Sequence, residues 1–246
     1  MVAKGILMGL LTVMMSAGVV CAEEKTPAFF RNNAMALKLG YHFYVDSDFT
    51  DFWMVKEEDY NGVAFELAYE RELIKYLGLE IALGYHKSNK TYSYTNLVYS
   101  GDRSTMETTL QNTYLSLSLK PHLPLGSSFQ LYLGGGGDFY YTHSKMEGDY
   151  QRGGTAIYIN HSEENFTFGF HGLAGLEVLL LKEPARYGVA DMPMSLFLEY
   201  KYSHVLVKGV DENVVKDINS FAGSSVGSHD LNTGGHLVFL GLRWRF

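Results

Sequence analysis

The last ten residues, Leu237 to Phe246, constrain the fold more than any other stretch of this chain. They read Leu-Val-Phe-Leu-Gly-Leu-Arg-Trp-Arg-Phe. Steps of two back from the end give Phe246, Trp244, Leu242, Leu240 and Val238. Between them lie Arg245, Arg243 and Gly241, with Phe239 as the exception. A period of two with one greasy and one cationic face is a strand between two different solvents. A soluble sheet could also bury one face, so alternation alone does not decide. A terminal Phe and a Trp two residues before it are what a strand carries where it meets a headgroup layer. The stretch is therefore read as the closing strand of a membrane-spanning barrel.

The other strands follow in order. Residues 34–45 put Met35, Leu37, Leu39, Tyr41, Phe43 and Val45 on one face and Ala36, Lys38, Gly40, His42 and Tyr44 on the other. Strands are expected at 63–69, 77–86, 109–120, 129–141, 166–180, 194–204 and within 231–246. Residues 70–76, 121–128 and 181–193 read as compact turns, the second with two prolines and a glycine. Residues 46–61, 87–106, 142–165 and 205–230 read as long, polar outer loops. Within the third, 155–159 alternates again, so its flanking strands could extend further.

Long and short connections thus alternate, with both ends of the barrel on the short side. The expected fold class is all-β, an eight-stranded antiparallel transmembrane β-barrel over 34–246, with long extracellular loops and short periplasmic turns. Even closure removes unpaired edges that a bilayer cannot tolerate. A lipocalin-like soluble barrel would turn its aliphatic face inward, and here the other face carries too many charges for a soluble core. The 18 Tyr, 15 Phe and 26 Gly against 5 Pro suit many strands.

The amino-terminal segment reads as an export signal, residues 1–22. Lys4 is followed by the apolar run Gly5–Val20, and Val20-Cys21-Ala22 places small residues where a signal peptidase cuts, after Ala22. Residues 23–33 form a polar periplasmic leader. Lipid modification of Cys21 is the alternative, against which Val20 stands where a smaller residue is expected. Cys21 is the sole cysteine, so cleavage would leave no disulfide or thiol nucleophile. The net charge of −7 argues against nucleic acid as a partner.

Four stretches carry a resemblance: Asn112-Thr-Tyr-Leu-Ser-Leu-Ser-Leu-Lys-Pro121, Gln130-Leu-Tyr-Leu-Gly-Gly-Gly-Gly137, Leu196-Phe-Leu-Glu-Tyr-Lys-Tyr202 and the Phe-ended last strand. On them the chain resembles the small outer-membrane β-barrel superfamily that includes OmpX, Ail and the OmpA membrane domain, with OmpW as a further relative. The resemblance implies the outer membrane of a Gram-negative-type bacterium and recognition by the barrel-assembly machinery. Its motifs diagnose fold, not activity.

Candidate site residues follow from parity. Lys38, Glu66, Glu80, Lys120, Asp138, Glu177, Glu199, Lys201, Arg243 and Arg245 fall on the inward face. A barrel of this size is filled by its own side chains, and a buried ion must pair, so a lumen charge network is expected. Tyr41, Phe43, Tyr69, Tyr85, Phe139, Tyr141, Tyr200, Tyr202, Trp244 and Phe246 point outward near strand ends and read as interface girdles. Gly134–Gly137 lacks the Lys-Ser/Thr of a phosphate loop and reads as room for bending and for bulky neighbours.

His86-Lys87-Ser88-Asn89 resembles part of the PagL-type lipid A deacylase motif. The orienting acid is missing and parity turns His86 away from lipid. No catalytic residue, metal or cofactor is therefore expected. The functional expectation is a non-enzymatic envelope protein that meets outer-membrane lipids, lipopolysaccharide and an unidentified extracellular ligand through its loops. The alternatives are an OmpW-like passage for small hydrophobic molecules and a PagL-like lipid A hydrolase.

Overall fold

A computed structural model describes residues 32–45, 48–53, 56–181 and 192–246. The expected signal, most of the leader and most of the 181–193 turn lie outside the described residues. The main strands are β1 (Asn33–Phe43), β2 (Gly62–Ile74), β3 (Leu77–Thr95), β4 (Arg103–Leu125), β5 (Phe129–Arg152), β6 (Thr155–Leu181) and β7 (Met194–His204). The short β8 (Leu206–Val207) and β9 (Leu231–Asn232) and the closing β10 (Gly235–Arg245) complete the set. Eight of these form one closed antiparallel ring in the order β1-β10-β7-β6-β5-β4-β3-β2, while β8 and β9 pair separately. Closure is made by β1 against β10, where the Asn33 and Phe246 backbones exchange hydrogen bonds of 3.2 and 2.9 Å.

Outward Leu and aromatic side chains cover the lower barrel. On β5 they run from Phe129 to Tyr141. At about 3.3 Å per residue and a tilt of about 45°, that stretch rises roughly 28 Å, the height of a lipid-facing band.

Several expected boundaries are corrected. The stretches 87–106 and 142–165 are not mainly loops: β3 with β4 and β5 with β6 continue as paired ladders to Thr95↔Arg103 and Arg152↔Thr155. The second hairpin is closed by Gly153 and Gly154, with φ of 59° and 85°, which their missing Cβ allows. The compact turns are shorter than expected, because β2 reaches Ile74 and β4 reaches Leu125. Residues 205–230 hold β8 and a helix, Glu212–Ala222, and 46–61 holds the short helix Asp48–Phe52 and a helical turn at Glu57–Tyr60.

Phe239, the exception in the closing strand, is buried inside the barrel. It belongs to a repeated device in which an inward aromatic lies over an inward glycine directly across the ladder. The pairs are Tyr114 over Gly84, Tyr132 over Gly175, Phe197 over Gly241 and Phe239 over Gly40. A Cβ on any of these glycines would collide with the facing ring. The glycines let a narrow barrel accept large rings flat against its wall.

A candidate site in the lumen and its outer cap

All ten charged residues placed inward by parity are buried, each no more than 3 % exposed. They form connected layers. At the periplasmic end, Arg243 Nη1 meets Glu177 Oε2 at 2.5 Å, and Arg245 Nη2 donates to the same oxygen at 2.8 Å. Above this, Lys38 Nζ sits among Glu66, Glu80 and Glu199 at 2.5, 2.9 and 2.7 Å. Lys120 Nζ reaches Glu80 at 2.7 Å and Glu199 at 3.4 Å. Higher still, Lys201 Nζ lies 3.3 Å from Asp138 and 3.6 Å from Glu66.

Glu70 belongs to this network and was not among the expected residues. Its carboxylate lies 3.4 Å from both Lys120 and Arg243 and 2.8 Å from His122 Nε2. Glu70 has the parity of Glu66, so the signal was present, but it falls in a stretch read as a turn. Five cations thus face six carboxylates in a space without bulk water. Burying an isolated ion costs several kcal/mol, and each charge here offsets that cost by touching more than one partner. Tyr114 and Tyr132 hydroxyls add hydrogen bonds of 3.0 Å to Glu66 and Glu199.

The Glu66, Glu80 and Glu199 oxygens lie within 4.8 Å of one another, the spacing of a cation cage. The cation among them is the Lys38 ammonium.

Two constellations resemble catalytic ones. His86 and Ser88 are both buried within the barrel, with His86 Nε2 3.0 Å from Asn112 Nδ2 and its ring 4.1 Å from that of His42. This places the pair away from acyl chains. Ser118 Oγ lies 2.8 Å from His171 Nε2, whose Nδ1 is 2.9 Å from Asp138. That order is a Ser-His-Asp triad's, but the Nδ1 contact lies off the ring's N–H direction and all three groups are sealed in the lumen. Asp138 is already held by Ser116, Ser203 and Lys201. The arrangement ties strands β4, β5, β6 and β7 together within the lumen.

Of the outward aromatics, Tyr41, Phe43, Tyr85, Phe139, Tyr141, Tyr200 and Tyr202 lie toward the outer end, and Tyr69, Trp244 and Phe246 toward the short-turn end. Tyr69 is covered, at 9 % exposure, and its hydroxyl donates to Asn33 Oδ1 at 2.6 Å. Phe166, Phe168 and Phe170 extend the outer group and are more exposed than any of these.

Above the bilayer the chemistry reverses. Beside Ser104, Thr108 and Ser144, the inward residues of the strand extensions now include an apolar set: Tyr94, Met106, Leu110, Met146, Tyr150 and Ile159. They pack with Phe49, Trp53 and Tyr60 from the first outer segment and with Val210, Val214 and Ile218 from the last. The supposed polar loops therefore fold into one cap over the lumen. Asp211 organises it, accepting from Trp53 Nε1 at 2.9 Å and from the His229 N–H at 2.8 Å, with His229 Nδ1 at 2.7 Å. Glu163 on β6 accepts the Asn213 N–H at 2.9 Å, supplying a carboxylate to the amino end of the outer helix. Burial pushes the Tyr60 phenol up.

With this geometry established, the comparisons place the chain. It matches the outer membrane protein beta-barrel domain over residues 11–243. The chain belongs to this outer-membrane β-barrel family. Solved relatives of similar fold include Neisserial surface protein A, at 13 % identity over 87 % of this chain and 96 % of that one, with a TM-score of 0.44. Ail of Yersinia pestis, solved with the heparin analogue sucrose octasulfate, is 14 % identical over 87 % and 99 %, with a TM-score of 0.41. The N-terminal β-barrel domain of Pseudomonas aeruginosa OprF is 12 % identical over 88 % and 98 %, at 0.40. A search of curated proteins gave no match. Membership of the family implies residence in the outer membrane of Gram-negative bacteria.

Proposed function

We propose that this outer-membrane barrel is a non-enzymatic surface-interaction protein of the adhesion type, with the folded cap as its binding face. One observation carries the reading: a filled, charge-paired lumen stands beneath outer segments that share a single apolar core. A loop held on a rigid scaffold presents its surface with little ordering cost on binding. The same reading includes export with cleavage after Ala22, contact with lipopolysaccharide around the outer rim, and insertion by the barrel-assembly machinery through the last strand. Adhesion of cells displaying the wild type to epithelial monolayers is expected to exceed that of cells displaying Trp53→Ala, with both barrels folded to the same extent. Equal adhesion, or a stable large conductance in planar bilayers, overturns the reading.

A further inference from the structure

We infer that the bilayer-facing side of β4 to β7 holds one phospholipid acyl chain from the periplasmic leaflet, in an apolar groove of about 650 Å³. That volume falls within the roughly 300–1,000 Å³ of clefts that hold small ligands. The walls are outward leucines, Leu123, Leu131, Leu133, Leu176 and Leu198, and the floor is Ala174.

Backbone irregularity and small residues accompany the depression. Pro121 carries no N–H, and the β4–β5 ladder passes from Leu119↔Gly135 to His122↔Tyr132 without the pairs between. On the adjoining face Gly135 and Gly172 stand directly opposite each other, so no side chain rises from either. Leu133 beside them is left 63 % exposed.

The occupant follows from where the groove opens. It is continuous with the lipid-facing band, the established interface of this family, so what reaches it is hydrocarbon. The three polar side chains among its lining residues are engaged elsewhere: His122 Nε2 lies 2.8 Å from Glu70, the Tyr132 hydroxyl donates to Glu199 at 3.0 Å, and the Tyr200 hydroxyl lies 2.6 Å from His236 Nδ1. The groove thus recognises a chain and not a headgroup. Pro121 and Leu123 lie near the compact turn at Gly126, which sets the β4 end of the groove in the leaflet built of phospholipid rather than lipopolysaccharide, and Tyr200 marks its other end, toward the outer group.

The test is native mass spectrometry of the full chain released from bilayer discs of palmitoyl-oleoyl phosphatidylethanolamine. Ala174→Trp and Ala174→Leu fill the groove from its floor. Leu39→Trp, on β1 across the barrel, sets the same indole on the lipid face elsewhere. Heat-modifiability on a gel shows that each variant is folded. Wild type and Leu39→Trp are expected to keep one phospholipid, and the two filling variants to keep it about tenfold less. Discs of phosphatidylglycerol are expected to give the same pattern. A wild type with no retained phospholipid, folded filling variants that retain it fully, or dependence on the headgroup overturns the inference. In discs that also contain lipid A, an adduct of lipid A mass in its place overturns the leaflet.

Discussion

Within the bilayer and above it, the same strands serve two cores of opposite chemistry. On β4, Leu115, Leu117 and Leu119 face lipid while Ser116, Ser118 and Lys120 face the lumen; above Asn112 it is Met106 and Leu110 that face inward. The inversion recurs on β5, from outward Leu131 and Leu133 to inward Met146 and Tyr150, and on β6, from outward Phe168 to inward Ile159. A strand keeps its parity, so the switch records a change of outer solvent from hydrocarbon to water. The difference teaches where the membrane ends. It also separates two kinds of stability: the lumen depends on every charge having a partner, the cap on excluding water from rings.

The largest effect is expected from breaking the lower core. Arg243→Glu would set a carboxylate beside Glu70, Glu80 and Glu177, which the guanidinium now joins at 3.4, 3.5 and 2.5 Å. Removing one partner of a buried pair costs about 3–5 kcal/mol, and reversing its sign costs more. Heat-modifiability should be lost, and a normal shift would show that the network contributes little. Trp53→Ala attacks the upper core instead. It removes a fully buried indole and leaves Asp211 without its Nε1 donor, at a cost of about 3–5 kcal/mol borne by the cap. Hydrogen exchange in the helix Glu212–Ala222 should accelerate while the lower strands stay protected. Uniform acceleration would mean that the two cores unfold together.

The same contrast explains what the sequence made legible. The lower barrel alternates between extremes, leucine against lysine or glutamate, so strand, face and burial of Lys38, Glu199 or Arg243 can be read directly. Glu70 was missed because its neighbours Glu72 and Lys75 made the stretch look like a turn. The cap was hidden for another reason. Its inward residues, such as Tyr94, Met106 and Tyr150, alternate with serines, threonines and charged groups that resemble a solvated loop once the aliphatic outer face is gone. The helix Glu212–Ala222 shows an apolar stripe at Val214, Val215 and Ile218, a helical period that could have been found between strands. That it caps a barrel depends on a core shared with Phe49 and Trp53 far away in sequence, which no local pattern encodes.

A smaller effect should follow from crowding one glycine–aromatic pair. A Cβ at Gly84 would fall within the ring of Tyr114, so Gly84→Ala is expected to destabilise the barrel by about 1–3 kcal/mol in a urea titration. Adding Tyr114→Leu should relieve part of that cost, and a double variant no more stable than the additive sum would sink the steric account.

The smallest effect sharpens the comparison most. The Arg152 guanidinium lies 3.8 Å from the Tyr99 ring centroid and donates to the Ala222 carbonyl at the end of the outer helix. Tyr99 in turn donates to the Gly223 carbonyl at 3.3 Å. This clip joins the tips of two hairpins to the helix without touching the lumen. Arg152→Ala should loosen residues 96–102 and the end of the helix by about 1 kcal/mol, read as faster local hydrogen exchange. Arg152→Lys should recover little, because an ammonium lacks the planar face that stacks on Tyr99. The barrel's unfolding midpoint should not move in either variant. If it does, the cap is part of the barrel's cooperative unit, and the boundary marked by the inverted pattern divides solvents without dividing stability.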